Sequence, residues 1–301
     1  PLLSSTNIGI YPVTYTQTTK RTTMQNLQSV NNPIITANQY LLEWKTPSKA
    51  HKTLILVEGK DDREFYYKFF QDSNSEIKTS GGCGAFRKVY NCLQGKIKNI
   101  AIKDSDFARL CHIFPTEDNI FYADAHDYEM MCLKNESTRQ EIFENLAITY
   151  NEDLWKQIFQ ELNILSYFKW YNYCEHLKYN FKTFSVEGLS SEQLKDFEYI
   201  HTQILPKSNP NRIITANDIE SFQRDHSPCC EYELTNGHDF IKRFCHHLRI
   251  NDLIHRQENE NSIRNRLHPC FRLEAFVQTQ LYQDISDWEN ANGSNILKKP
   301  N

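Results

Sequence analysis

Two short acidic strings carry the chemistry that this sequence suggests. In "LILVEGKDD", residues 54–62, an apolar run ends on Glu58 and Gly59 and passes into Lys60, Asp61 and Asp62. In "AIKDSDF", residues 101–107, a second apolar run ends on Asp104 and Asp106. Carboxylates gathered at one rim are hard oxygen donors, the type that suits Mg²⁺ or Mn²⁺ shared with substrate phosphates. Without a cation they repel one another, so clustering them is costly. With one, they can orient a water and neutralise charge developing on a phosphodiester. Gly59 reads as the residue that lets the chain turn sharply after Glu58, and Lys60 as a partner for a phosphate oxygen.

The elements needed to place these residues follow from the pattern. "KTLILVEG" is a continuous apolar run bounded by glycine, which predicts a buried strand. "DDREFYYKFFQD" then shows aromatic residues at helical spacing and acids in its first turn. "EIKTSGG" predicts a second strand, "AFRKVYNCL" a helix, "KIKNIAIKDSDF" a third strand, and "NIFYADAHDYEMMCL" a fourth strand running into a helix near His126. This alternation predicts right-handed crossovers and a mostly parallel sheet in an α/β fold. Both acidic strings then lie at carboxyl ends of strands, where open α/β sheets place their sites. "GGCG", 81–84, lacks the Lys-Ser/Thr of a phosphate-binding loop and reads as a turn bringing backbone close to the acidic rim.

Residues 1–50 read as a polar arm followed by a short helix over 37–44, residues 51–135 as the α/β core, and residues 136–301 as mostly helical. "NANGSNILKKPN" at the end reads as a disordered tail. The composition, 39% hydrophobic and 24% charged with net charge −4, is that of a soluble globular protein and excludes a simple electrostatic coat for DNA. No apolar run is long enough to span a bilayer, so no membrane association is expected. Nine scattered cysteines and no signal-like pattern lead us to expect reduced thiols in a cytoplasm.

"ILVEGKDD" followed by "AIKDSDF" resembles the TOPRIM fold of topoisomerases, bacterial primases, recombination proteins and OLD-family nucleases. The spacing of Glu58 and Asp62 is similar to the nuclease branch, whose E-G-x-x-D turn supplies two metal-site carboxylates. Asp104 and Asp106 match its D-x-D. "DAHDYEMM" and "NGHDFIKRF" further resemble compact TOPRIM nucleases found beside ATPases in bacterial phage-defence loci, the PARIS-type and abortive-infection systems among them. The resemblance implies a metal-dependent endonuclease, a toxic effector held in check by an ABC-type ATPase. Its implied substrate is host RNA such as tRNA. Glu58 is then a metal ligand or general base, assisted by Lys60. Asp62, Asp104, Asp106 and Glu129 are metal ligands, Glu129 standing where the family's fourth acidic motif falls. An OLD-type DNA nuclease and a non-catalytic regulatory module are the alternatives. The strand-passing tyrosine of a topoisomerase and the zinc domain of a primase are not visible.

Two segments outside the core bear on nucleic acid. "SYFKWYNYCEHLKYNFKTF", 166–184, interleaves basic and aromatic residues and reads more readily as core filler than as a base-stacking surface. Residues 242–272 hold seven Lys/Arg against three Asp/Glu. Lys242, Arg243, Arg249, Arg256, Arg264 and Arg266 are therefore the candidates for a phosphate-binding face. A homodimer pooling two such faces would form one groove.

Overall fold

The computed structural model describes residues 32–113, 119–228, 230–255 and 257–300. The core elements follow the predicted order: helix α1 (Pro33–Glu43), strand β1 (Thr53–Val57), α2 (Lys60–Tyr66), β2 (Ser75–Thr79), α3 (Cys83–Leu93), β3 (Asn99–Lys103), β4 (Ile120–Tyr122) and α4 (Tyr128–Lys134). The sheet has strand order β2-β1-β3-β4 and is parallel throughout. In register, Ile55 faces Ile77 on one side and Ile100 on the other, and Ile102 faces Phe121.

The apolar run in β1 is continuous because both faces of the sheet are covered. Leu54, Leu56, Ala101 and Ile120 pack under α1 and α3, against Tyr40, Trp44, Phe86 and Tyr90. Ile55, Val57, Ile100 and Ile102 point the other way, into a larger core shared with the helical region. Each such side chain, fully buried, contributes about 1.5–3 kcal/mol. The Tyr40 hydroxyl donates to the Thr79 carbonyl (2.8 Å) and the Trp44 indole to the Lys52 carbonyl (2.9 Å), fixing α1 on the sheet. This helix begins earlier than its sequence suggests. Asn32 caps it through the Ile34 amide (3.0 Å) and Pro33 takes its first position, where a missing N–H costs nothing. The rest of the expected arm, residues 1–31, lies outside the described residues.

The helical region runs α5 (Glu136–Asn145), α6 (Glu152–Cys174), α7 (Ser191–Leu194), α8 (Phe197–Ile204), α9 (Ala216–Asp225), α10 (Glu231–Leu234), α11 (Gly237–Ile250), α12 (Glu260–Cys270), α13 (Leu273–Phe276) and α14 (Gln280–Asn292). It does not build a core of its own. Trp155, Phe168, Phe240, Phe244 and Phe276 belong to the same buried cluster as Ile55 and Val57. Tyr167, Phe168 and Trp170 of the aromatic–basic segment are buried in that core, not displayed for stacking.

The chain's end is also part of the fold, where a disordered tail was expected. Ile296 and Leu297 are buried, Leu297 bridges to Phe70, and the Gln71 amide donates to the Ile296 carbonyl (2.7 Å). The buried Glu289 carboxylate accepts from the backbone amides of both Ile296 and Leu297. Two apolar residues and one buried acid outweigh the polar, glycine-containing context that suggested disorder. Among the described residues, no helix is long and apolar enough to cross a membrane.

Candidate metal centre

The ends of β1, β3 and β4 and the N-termini of α2, α4 and α11 meet around a cavity of about 250 Å³. Asp62, Asp104, Asp106, Asp127, Glu129 and His238 line it. The sequence-predicted acids Asp62, Asp104, Asp106 and Glu129 are thus brought together. Glu58 is not in the lining; its carboxylate is turned toward Lys103 Nζ, 3.3 Å away. Lys60 lies at the cavity's mouth, three-quarters exposed and loosely paired with Glu64 (3.3 Å).

Each acid is positioned by its backbone. Asp62, in the first turn of α2, accepts from the Gly59 amide (2.7 Å). Gly59 has φ −128°, extended backbone open to any residue, so it is not needed for a sharp turn. Its lack of a side chain matters by proximity, because a Cβ there would stand 3.3 Å from Asp62 Oδ2. Gly81 and Gly82 do occupy positive φ, 90° and 110°, which side chains disfavour. Their turn lets the Gly82 amide donate to the Glu58 carbonyl (2.9 Å), the close approach expected of "GGCG".

Beyond β3 the chain bends with Asp106 in the left-handed region, φ 46°, its amide donating to the His126 carbonyl (2.8 Å). Lys103 Nζ lies 3.1 Å from Asp106 as well as 3.3 Å from Glu58, bridging the two acidic strings. The Asp104 carboxylate has no hydrogen-bond or ion-pair partner among the described residues. After β4, "DAHD" divides its work. Asp124 caps α14 by accepting from the Gln280 and Leu281 amides (2.6 and 2.9 Å). His126 is buried edge-on against Phe107 and belongs to the core. Asp127 caps α4 through the Met130 amide (2.9 Å) and also accepts from the Gly237 amide (2.7 Å).

That second bond gives "NGHDF" its role. Asn236 caps α11, and Gly237 seats the helix start on the acidic rim, where a Cβ would fall 2.6 Å from the Glu129 Cβ. His238 follows, its ring 3.8 Å from Glu129 and 2.9 Å from Glu260. Glu129 is buried and held by Arg264 Nε at 3.1 Å.

The electrostatics follow from this packing. Burial, then the neighbouring carboxylates, pushes Asp62 up to about 6; Glu129 is pushed to about 7 by burial and Asp127, against the pull of His238 and Arg264. Asp104 is raised by burial and by Asp62, Asp127 and Glu129 together. Glu58 is also raised, burial outweighing Lys103, while its carboxylate and that of Asp106 hold Lys103 firmly protonated. A rim of oxygen donors that resists ionisation matches the chemistry of a hard divalent cation. The acids ring the cavity without converging. Among the described residues, no group of three or more His, Cys, Asp or Glu is placed to hold a metal ion.

The predicted phosphate-binding face does not form. Arg243 is buried, bonded to Glu161 and to the Leu189 carbonyl (2.6 Å), because α11 packs that side of the helix against α6. Arg264 is buried in the acidic site itself. Lys242 pairs with Glu260 (3.5 Å), Arg266 with Glu258 (2.6 Å) and Arg249 with Glu187. Arg256 lies outside the described residues. Sequence reading missed Lys103, Asp127, Gly237 and His238 as site residues; the "DAHD" and "NGHDF" strings were the available signal. No protein-family model matches the chain, and a search of the curated proteins finds no match.

Proposed function

We propose that the chain is a TOPRIM-type, divalent-metal-dependent nuclease. The observation that carries this reading is the meeting, in one cavity, of acids that follow three neighbouring strands of the sheet, β1, β3 and β4. Asp62, Asp104, Asp127 and Glu129 would hold Mg²⁺ or Mn²⁺, their donor chemistry fitting the ion while their spacing requires side chains to rotate inward. When bound, the ion supplies charge neutralisation at a phosphodiester and a more acidic water. Glu58, whose carboxyl is raised above the usual carboxylate range by burial, would serve as the general base. Lys103 keeps Glu58 and Asp106 side by side, and the exposed Lys60 reaches for a phosphate oxygen. Host RNA such as tRNA as substrate, an ABC-type ATPase as partner and a role in abortive phage defence are supported by the resemblance in sequence alone. The homodimer groove would have to do without Arg243 and Arg264, which are buried.

A non-catalytic module is the second reading. It is favoured by Lys103 and Arg264, which already neutralise Glu58, Asp106 and Glu129 without a metal. Incubating wild type and Glu58→Ala with total RNA and with plasmid DNA, in Mg²⁺ or Mn²⁺, separates the two. Metal-dependent cutting lost in a folded Glu58→Ala supports the nuclease. Equal cutting by both overturns the site, and no cutting of either substrate favours the module.

A further inference from the structure

The loop leaving β3 carries Asp104 and Asp106 and then runs to the last turn of α6. There Cys111 Sγ lies 3.0 Å from Cys174 Sγ. Among the described residues no other two cysteine sulfurs are in such contact. The same loop touches the same helix turn a second time, the Phe107 ring standing 5.6 Å from that of Tyr173. The Trp170 indole N–H donates to Cys111 Sγ (3.4 Å), a further contact between the two elements. Both cysteines are half-buried, unlike the enclosed Cys132, Cys245 and Cys270.

We propose that Cys111 and Cys174 are a redox-responsive thiol pair, whose disulfide fastens the Asp106-bearing loop to α6. Closing from 3.0 Å to a bond of about 2.05 Å needs a shift of roughly 1 Å, within reach of side-chain rotation. In a reducing compartment the pair rests as two thiols; an oxidised glutathione pool converts it. The exchange starts at Cys111, whose thiol gives up its proton. That thiolate attacks one sulfur of glutathione disulfide, breaking its S–S bond and expelling a glutathione thiolate. Cys174 then loses its proton and attacks the Cys111 sulfur of the mixed disulfide, expelling the second glutathione. Two protein thiols are oxidised, one glutathione disulfide is reduced, and the two protons end on the released glutathiones.

The pair forms whether or not the acidic cavity holds a metal, and its test needs none. The reduced full-length chain is incubated with glutathione disulfide, blocked with an alkylating agent, and mapped by mass spectrometry without reduction. The expected product joins the peptides containing Cys111 and Cys174, with loss of two free thiols. Cys111→Ser and Cys174→Ser should each abolish that product, leaving the partner cysteine glutathionylated. Glutathionylation of the exposed Cys83 shows that the oxidant has acted. Its appearance without the Cys111–Cys174 product overturns the pair. Amide hydrogen exchange over residues 104–112 should slow on oxidation of wild type and not of Cys174→Ser. Unchanged exchange in cross-linked protein overturns the coupling to the acidic loop.

Discussion

Replacing Gly237 by alanine tests the docking of α11 on the acidic rim. The new Cβ would stand 2.6 Å from the Glu129 Cβ, well inside van der Waals contact. Neither neighbour yields without losing a bond it already makes. Asp127 caps α4 through the Met130 amide at 2.9 Å, and Glu129 is pinned by Arg264 at 3.1 Å. The helix start must therefore back away, and the 2.7 Å bond from the Gly237 amide to Asp127 lengthens. Overpacking of this kind costs about 1–3 kcal/mol. Weakening a hydrogen bond to a charged group costs about 1.5–3 kcal/mol. The better helix propensity of alanine returns at most about 1 kcal/mol. A net loss of about 2–4 kcal/mol should appear as a lower urea midpoint with unchanged slope. Gly84→Ala is the internal control. It lies in the first turn of α3 with nothing within 4 Å of its would-be Cβ, and should stabilise by about 0.4–1 kcal/mol. If Gly237→Ala stays within about 0.5 kcal/mol of wild type, the close docking is wrong.

Three further outcomes follow from the packing and the charge. Asp62 and Glu129, raised to about 6 and about 7, remain protonated in the folded chain where the unfolded chain has released its protons. The stability they confer is complete below the ordinary carboxylate range and is lost as pH rises through those values. Melting in EDTA should accordingly weaken from about pH 5 to about pH 8, with Mg²⁺ restoring most at the upper end; an equal Mg²⁺ effect at both would contradict the shared site. Arg243→Ala leaves the fully buried Glu161 without its guanidinium and should cost about 3–5 kcal/mol by denaturant titration, whereas a surface arginine would cost almost nothing. Truncation after Gly293 removes Ile296 and Leu297 and strips the buried Glu289 of both amide donors, so a loss of about 3 kcal/mol or more is expected. Wild-type thermal stability in that truncation would show that the tail does not dock.

The sheet was legible because its signals are local. A continuous apolar run closed by glycine, repeated with helical segments between, leaves few arrangements other than a parallel α/β layer, and Asp62, Asp104 and Asp106 fall at its rim accordingly. What was not legible depends on partners far along the chain. The Gly237 amide meets Asp127 from 110 residues away, and Arg243 meets Glu161 from 82 residues away. Nothing in the basic composition of residues 242–272 distinguishes an arginine destined for a buried pair from one facing water. Gly59 misled for the opposite reason: glycine suggests a special backbone angle, and here the constraint is the nearness of Asp62. Ile296 and Leu297 were hidden by their polar neighbours, since two apolar residues carry no periodicity.

The ammonium group of Lys103 sits between Glu58 and Asp106 on a side chain that never diffuses away. Any divalent ion approaching those two carboxylates competes with a tethered rival, present at an effective concentration that solution salt does not match. Arg264 stands in the same relation to Glu129. The resting chain thus carries its own antagonists for a cation. A substrate phosphate that drew Lys103 toward itself would lift that competition on arrival, making ion and substrate each favour the other's entry.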